Sequence, residues 1–196
     1  MAQSRALILA STSNYRRELL TRLRLEFECA APQVVEEPEP SETPVATAAR
    51  LAVLKARAVA PRFAGALIIG SDQVASCDGV RLGKPGDRAN AIGQLERLSG
   101  KVADFDTAVC VLDTASGVLR SRVVPCRVAF RILNRSQIEA YVEREPPYDC
   151  AGSAKSEGLG IALLARIQTD DPTSLIGLPL IALTELLAEA GLPVLA

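Results

Sequence analysis

Ala6-Leu7-Ile8-Leu9-Ala10 is a short unbroken apolar run that stops at small polar residues, the pattern of a strand covered on both faces. A helix is predicted next: Ser13 can cap it, and Leu19, Leu20 and Leu23 recur at helical spacing beside Arg16, Arg17, Glu18 and Arg22. Phe27 to Ala30 reads as a second short strand. Residues 32 to 44 crowd proline with glutamate, which bars a regular ladder and predicts an exposed, flexible loop. Thr43-Pro44 opens a helix running to about Ala60, and Ala66 to Gly70 is another buried strand. Asp78-Gly79 marks a tight turn, and Asp87 caps a helix carrying Ile92, Leu95 and Leu98 that stops at Gly100.

Two apolar, β-branched runs, Thr107 to Asp113 and Val118 to Leu133, flank Thr114-Ala115-Ser116-Gly117 and predict a long antiparallel hairpin. Ser136 with Glu139 forms a capping-box pattern for a helix to about Arg144, which Pro146-Pro147 ends. A glycine-studded segment, Ala151 to Gly160, precedes a strand from Ile161 to Ile167, an Asp-Pro turn, and a last helix from about Leu178 to Ala190. No internal repeat is present. Strands and helices alternate and a hairpin intervenes, so the class is α/β or α+β with a mixed sheet.

The composition narrows the chemistry. The chain has 196 residues, 48% hydrophobic and 23% charged, with 22 basic against 23 acidic side chains. That suits one globular domain over residues 1–196, with two lobes, and disfavours both a disordered chain and a basic nucleic-acid surface. Histidine is absent, which excludes Ser-His-Asp and Cys-His arrangements, paired-histidine zinc helices and any imidazole base. Cys29, Cys77, Cys110, Cys126 and Cys150 are odd in number and form no C-x-x-C pair, so they read as reduced, structural thiols of a cytoplasmic protein. The apolar start, Met1 to Ala10, is too short for a secretory signal. The apolar end is interrupted by Gly177, Pro179, Glu185 and Glu189 and reads as a core helix, not a membrane span.

Three polar clusters follow predicted strands, where an open α/β sheet gathers its ligand site. In Ser11-Thr12-Ser13-Asn14-Tyr15-Arg16-Arg17, hydroxyls and free N–H groups at a helix start, with arginine in the first turn, suit phosphate. Gly70-Ser71-Asp72-Gln73 puts a carboxylate at a strand end, able to bind a divalent cation or take a proton from water. Gly83-Lys84-Pro85 holds a lysine between two constraining residues but lacks the P-loop pattern. Each cluster alone also fits ordinary solvated side chains.

Their order and spacing, with Glu36, Arg50-Leu51-Ala52, Lys55-Ala56, Leu98-Ser99-Gly100, Ala151-Gly152 and Gly177-Leu178-Pro179-Leu180, resemble the Maf family of nucleoside triphosphate pyrophosphatases along nearly the whole chain. The resemblance implies a Maf/ITPase-like, mixed α/β (α+β) fold: an elongated mixed sheet flanked by helices, with two lobes and a central cleft. It also implies cleavage between the α- and β-phosphates, giving a monophosphate and pyrophosphate with a divalent cation, Mg or Mn. Asp72 then looks like the group that activates water, and also a metal ligand. Ser11, Arg16, Lys55 and Lys84 look like the triphosphate receptor, and Glu36 a carboxylate at the metal. Relatives often place a second acid just before that glutamate, where this chain has Val35.

Ala151-Gly152-Ser153-Ala154-Lys155-Ser156-Glu157-Gly158 resembles the branch that hydrolyses 7-methyl-GTP. Methylation at N7 gives guanine a delocalised positive charge, which the face of Tyr15 can hold by stacking and cation–π attraction. Glu157 can accept from the guanine N1–H and exocyclic amine, and Gln73 can add an amide contact. The expected partner is thus a nucleoside triphosphate, with no nucleic acid and no membrane; the family and the long hairpin point to a homodimer. The alternatives are a pyrophosphatase for dTTP, UTP or another modified nucleotide, and a non-catalytic nucleotide-binding regulator of cell division.

Overall fold

The computed structural model describes residues 5–195; Met1 to Ser4, the start of the stretch read as too short for a secretory signal, and Ala196 lie outside the description. In chain order the elements are β1 (Leu7–Leu9), α1 (Asn14–Thr21), β2 (Glu28–Cys29), α2 (Pro44–Val59), β3 (Leu67–Cys77), β4 (Val80–Leu82), α3 (Arg88–Leu98), β5 (Val102–Asp113), β6 (Leu119–Phe130), α4 (Arg135–Arg144), β7 (Leu164–Thr169) and α5 (Leu180–Glu189). The strands form a mixed sheet in the order β2-β1-β3-β5-β6-β7, with β4 paired to β3. β1 runs parallel to β2 and β3, while β3–β4 and β6–β7 are antiparallel. The mixed α/β class expected from the alternation is therefore observed.

The chain divides into two compact units, and β3, β5 and β6 each contribute residues to both. Of the described residues, the first unit comprises 5–73, 107–124 and 171–195. Its core is Leu7, Leu9, Leu67, Ile69, Val109 and Val111 of the sheet, packed with Leu19 and Leu20 of α1 and Leu183, Leu186 and Leu187 of α5. The second comprises residues 74–106 and 125–170, with α3 against α4 and Leu95, Leu98, Ile138 and Val142 buried.

The predicted caps hold at three helices: Ser13, Thr43 and Asp87 each accept from a first-turn N–H. At α4 the capping box is Asn134 with Gln137, two residues ahead of the Ser136–Glu139 pair, and Ser136 instead donates to Asn134 Oδ1 at 2.7 Å. Asp78 and Gly79 both take left-handed φ values, 50° and 75°, the backbone of a tight two-residue hairpin.

Several strand boundaries move: β5 begins at Val102, not Thr107, and β6 ends at Phe130, not Leu133. β3 does not stop at Gly70 but runs on through Ser71, Asp72 and Gln73 to Cys77. The apolar signal ends there, yet backbone pairing is indifferent to side-chain polarity, and the long β5 continues alongside. The last strand starts at Leu164, not Ile161, because Leu159–Leu163 winds as a 3₁₀ helix, with the Gly160 N–H bonded to Glu145 Oε2 at 3.1 Å.

The proline- and glutamate-rich loop is irregular, as expected, but α2 anchors it. Arg50 Nε and a terminal nitrogen grip Glu42 Oε1 and Oε2 at 2.7 and 2.8 Å, and Arg50 also donates to the Glu37 carbonyl at 2.9 Å. At the other end of the chain, buried Asp171 organises the entry to α5. Its Oδ2 accepts from the Ile181 and Ala182 N–H groups at 2.7 and 3.3 Å, and its Oδ1 from the Thr173 N–H and hydroxyl at 3.1 and 2.7 Å.

Asp171→Ala is expected to cost roughly 2–4 kcal/mol, a lost cap plus stranded buried donors, read as a lower urea midpoint. A second expectation concerns acid. Hydrogen bonding from Arg50 is the main influence holding the Glu42 carboxyl down at about 2. A carboxyl depressed on folding stabilises above its unfolded value, near 4.5, and loses that contribution as pH falls toward 2. Thermal melts of Glu42→Gln are therefore expected to vary less with pH across that window than those of the native chain.

Candidate active site

β3 alternates its side chains, and the two faces meet different neighbours. Gly70 and Asp72 face α2. A Cβ at Gly70 would collide with the Ala52 carbonyl oxygen and lie 3.0 Å from both Ala56 Cβ and Cys110 Sγ, so only glycine lets the helix settle this close. One turn along α2, Lys55 is 4% exposed and its Nζ lies 2.6 Å from Asp72 Oδ1. The same ammonium is 2.9 Å from Oε2 of Glu36, which stands exposed on the loop that Arg50 anchors.

Burial is the largest influence on Asp72 and lifts its carboxyl above the ordinary range, against the opposing pull of Lys55 and Arg16. Burial draws the Arg16 guanidinium down, against the attraction of Asp72 and Glu36. Three expected site residues, Glu36, Lys55 and Asp72, are thus in direct contact, and Arg16 is within electrostatic reach. Ser11, buried at the end of β1, accepts from the Ser13 N–H at 3.1 Å where α1 begins. Tyr15 is half-buried in the first turn of that helix.

The opposite face of β3 carries Ser71 and Gln73 to the segment between Asp171 and α5. Ser71 Oγ donates to the Gly177 carbonyl at 3.0 Å, and Arg16 Nε donates to the same oxygen at 2.8 Å. The Gln73 amide nitrogen lies 2.9 and 3.0 Å from the Ser174 and Leu175 carbonyls and 3.0 Å from Thr107 Oγ1. Gln73 therefore ties down this segment through the same amide expected to touch a base. Nothing in the sequence pattern marks Thr107, Asp171 and Ser174 as site-building residues: it shows the Asp-Pro turn, but not the hydrogen bonds that converge on that segment.

Lys84 and Glu157 belong to the second unit. Lys84 is exposed after β4 on a loop held by α3: Gln94 Nε2 donates to the Gly83 carbonyl at 3.1 Å and Asn90 Nδ2 to the Pro85 carbonyl at 3.2 Å. The other end of the Gln94 amide accepts from Ser153 Oγ at 2.6 Å, so one buried side chain fixes both the Lys84 loop and the turn after Ala151-Gly152. Partial burial raises the Glu157 carboxyl, and the charges of Glu145 and Asp149 push it the same way.

Among the described residues no helix is long and apolar enough to cross a membrane, and no group of three or more His, Cys, Asp or Glu side chains is arranged for a metal. All five cysteines are unpaired.

The model for Maf-like proteins matches residues 6–190. A 7-methyl-GTP pyrophosphatase of Burkholderia pseudomallei (strain 1710b) is 56% identical over 190 residues, covering 95% of this chain and 88% of the relative. The protein of that name from Thiobacillus denitrificans is 56% identical over 192 residues, 98% of this chain and 96% of its own. That from Cupriavidus metallidurans is 53% identical over 188 residues, 96% and 94% respectively. The solved structure of the Staphylococcus aureus Ham1 protein is a more distant likeness, with TM-score 0.43 and 14% identity over 64% of this chain and 72% of that one, too remote to inform the chemistry. With the family model spanning nearly every residue that builds the Asp72–Lys55–Glu36 cluster and its surroundings, the chain belongs to the Maf-like protein family.

Proposed function

We propose that the protein is a cytoplasmic nucleoside triphosphate pyrophosphatase that hydrolyses 7-methyl-GTP to 7-methyl-GMP and pyrophosphate. The observation carrying the catalytic part is a buried aspartate whose proton affinity is raised by its surroundings, in contact with one lysine and near one arginine. A carboxylate of that kind takes a proton from water more readily than an exposed one, while the cations about it suit a polyanionic substrate. The names of relatives more than half identical across the chain support the choice of 7-methyl-GTP.

In this reading Asp72 orients the attacking water and accepts its proton as the α–β phosphoanhydride opens. Lys55 and Arg16, with Ser11 and Lys84, bind the triphosphate oxygens and offset the charge of the departing pyrophosphate. Asp72 and Glu36, the two carboxylates that meet Lys55 Nζ, would supply hard oxygens to Mg or Mn, ions commonly held by one or two carboxylates and substrate phosphates. Such an ion would supply charge neutralisation on the phosphates. Lys55, between the two carboxylates, keeps them close together and compensates their charge. Tyr15 stacks on the cationic base and Glu157 accepts from its N1–H and amine. Gln73 contributes through its hold on Ser174 and Leu175.

Pyrophosphate release in Mg or Mn, compared across 7-methyl-GTP, GTP, UTP, dTTP and CTP, is expected to favour 7-methyl-GTP; a preference for UTP or dTTP would overturn the assigned substrate. Asp72→Asn is expected to abolish turnover while nucleotide binding by calorimetry persists, and near-native turnover would remove Asp72 from the mechanism. Tyr15→Arg with Glu157→Ala is expected to lower activity on 7-methyl-GTP far more than on UTP.

A further inference from the structure

We propose that Glu145, at the C-terminal end of α4, is the positioning residue that holds the Lys155–Gly160 loop in the conformation presenting Glu157 to the base. The inference rests on the recognition role given above to Glu157. A loop with glycines at 158 and 160 has much backbone freedom to lose, so an exposed glutamate on it needs fixed points on either side to act as a selective acceptor. The end of α4 supplies two. Tyr141, buried, accepts the Lys155 N–H on its Oη at 3.0 Å, and Glu145 Oε2 accepts the Gly160 N–H at 3.1 Å.

The fit around Glu145 is close. A Cβ on Gly158 would strike the Glu145 carboxylate and lie 2.9 Å from its Cδ and Oε2, and a Cβ on Gly160 would lie 2.5 Å from the Lys155 nitrogen and oxygen. Bare backbone at both positions lets the loop fold back on itself, closed by Gly158 N–H to the Lys155 carbonyl at 3.1 Å, with the carboxylate seated against it. Glu145 is itself fixed: it ends α4, and Pro146 disfavours the helical region there, in keeping with its φ of −141° and ψ of 80°. Its proximity to Glu157 is also felt electrostatically, since its charge helps raise the Glu157 carboxyl. No step of the proposed hydrolysis uses Glu145.

The test is a double-mutant cycle read in steady-state kinetics. Glu145→Ala is expected to raise KM for 7-methyl-GTP about tenfold with kcat within about twofold and KM for UTP unchanged. Glu145→Gln, whose amide oxygen still accepts from Gly160, restores KM to within about twofold. In a Glu157→Ala background, Glu145→Ala has no further effect. An unchanged KM in Glu145→Ala, an equal rise for UTP, or the same rise in the Glu157→Ala background would each overturn the positioning role. Should Glu145→Ala not fold, Glu145→Asp, whose side chain is one methylene shorter, carries the same expected split, and its absence is equally decisive. A Glu157→Ala variant with native KM would overturn the recognition role itself, whatever Glu145 does.

Discussion

Everything at the site depends on how closely α2 lies on β3. Lysine and aspartate are 4% and 5% exposed, and two charges removed from water are tolerable only when held in good geometry; losing one partner of such a pair typically costs about 3–5 kcal/mol. The approach that provides this geometry runs through Gly70, where no Cβ fits beneath Ala52 and Ala56. α2 does more than deliver Lys55. Through Arg50 it anchors the proline- and glutamate-rich loop, and so brings Glu36 to the same ammonium. A single helix thus places a cation on one carboxylate and draws a second carboxylate to that cation.

β3 uses its two faces for separate tasks. The even positions, Gly70 and Asp72, meet α2, while Ser71 and Gln73 hold carbonyls of the segment leading into α5. Gly177 takes bonds from both Ser71 and Arg16, so the backbone that Asp171 organises also orients the guanidinium. Arginine in the first turn of α1 opposes the helix dipole. The Gly177 carbonyl and the carboxylates within electrostatic reach are what make its position tolerable.

The features legible in the sequence were those written locally. Ser13, Thr43 and Asp87 could be read as caps because a cap and its first turn are sequence neighbours, and Asp78-Gly79 because the turn needs left-handed backbone at both positions. An apolar run marks burial, not pairing, so the pattern ends at Gly70 while β3 continues to Cys77. The α4 cap lies two residues ahead of the predicted one because Asn134-Arg135-Ser136-Gln137 and Ser136-Gln137-Ile138-Glu139 satisfy nearly the same pattern. At the site, the polar cluster after the apolar run points to Asp72 and the family resemblance to Lys55 and Glu36, but the bonds made by Gln73 and Gln94 join residues eleven to over a hundred positions apart, and those of Asp171 to Ile181 and Ala182 span ten and eleven, so they leave no local trace.

In a chain without histidine an adjusted carboxylate can serve as proton acceptor, and Asp72 and Glu157 show two ways in which surroundings adjust a carboxylate. Burial raises both. Around Asp72 the nearest charges are cations, which restrain the rise and keep the ionised form accessible. Around Glu157 the neighbours Glu145 and Asp149 push in the same direction as burial, opposed by Lys155. The first setting suits a group that must lose its proton before it can take one from water. In the second, like charges add to the rise in proton affinity, an unfavourable crowding that a cationic donor against Glu157 would relieve. The two carboxylates thus differ in the charges set around them, cations at Asp72 and anions at Glu157, a difference that accords with the separate roles proposed for them.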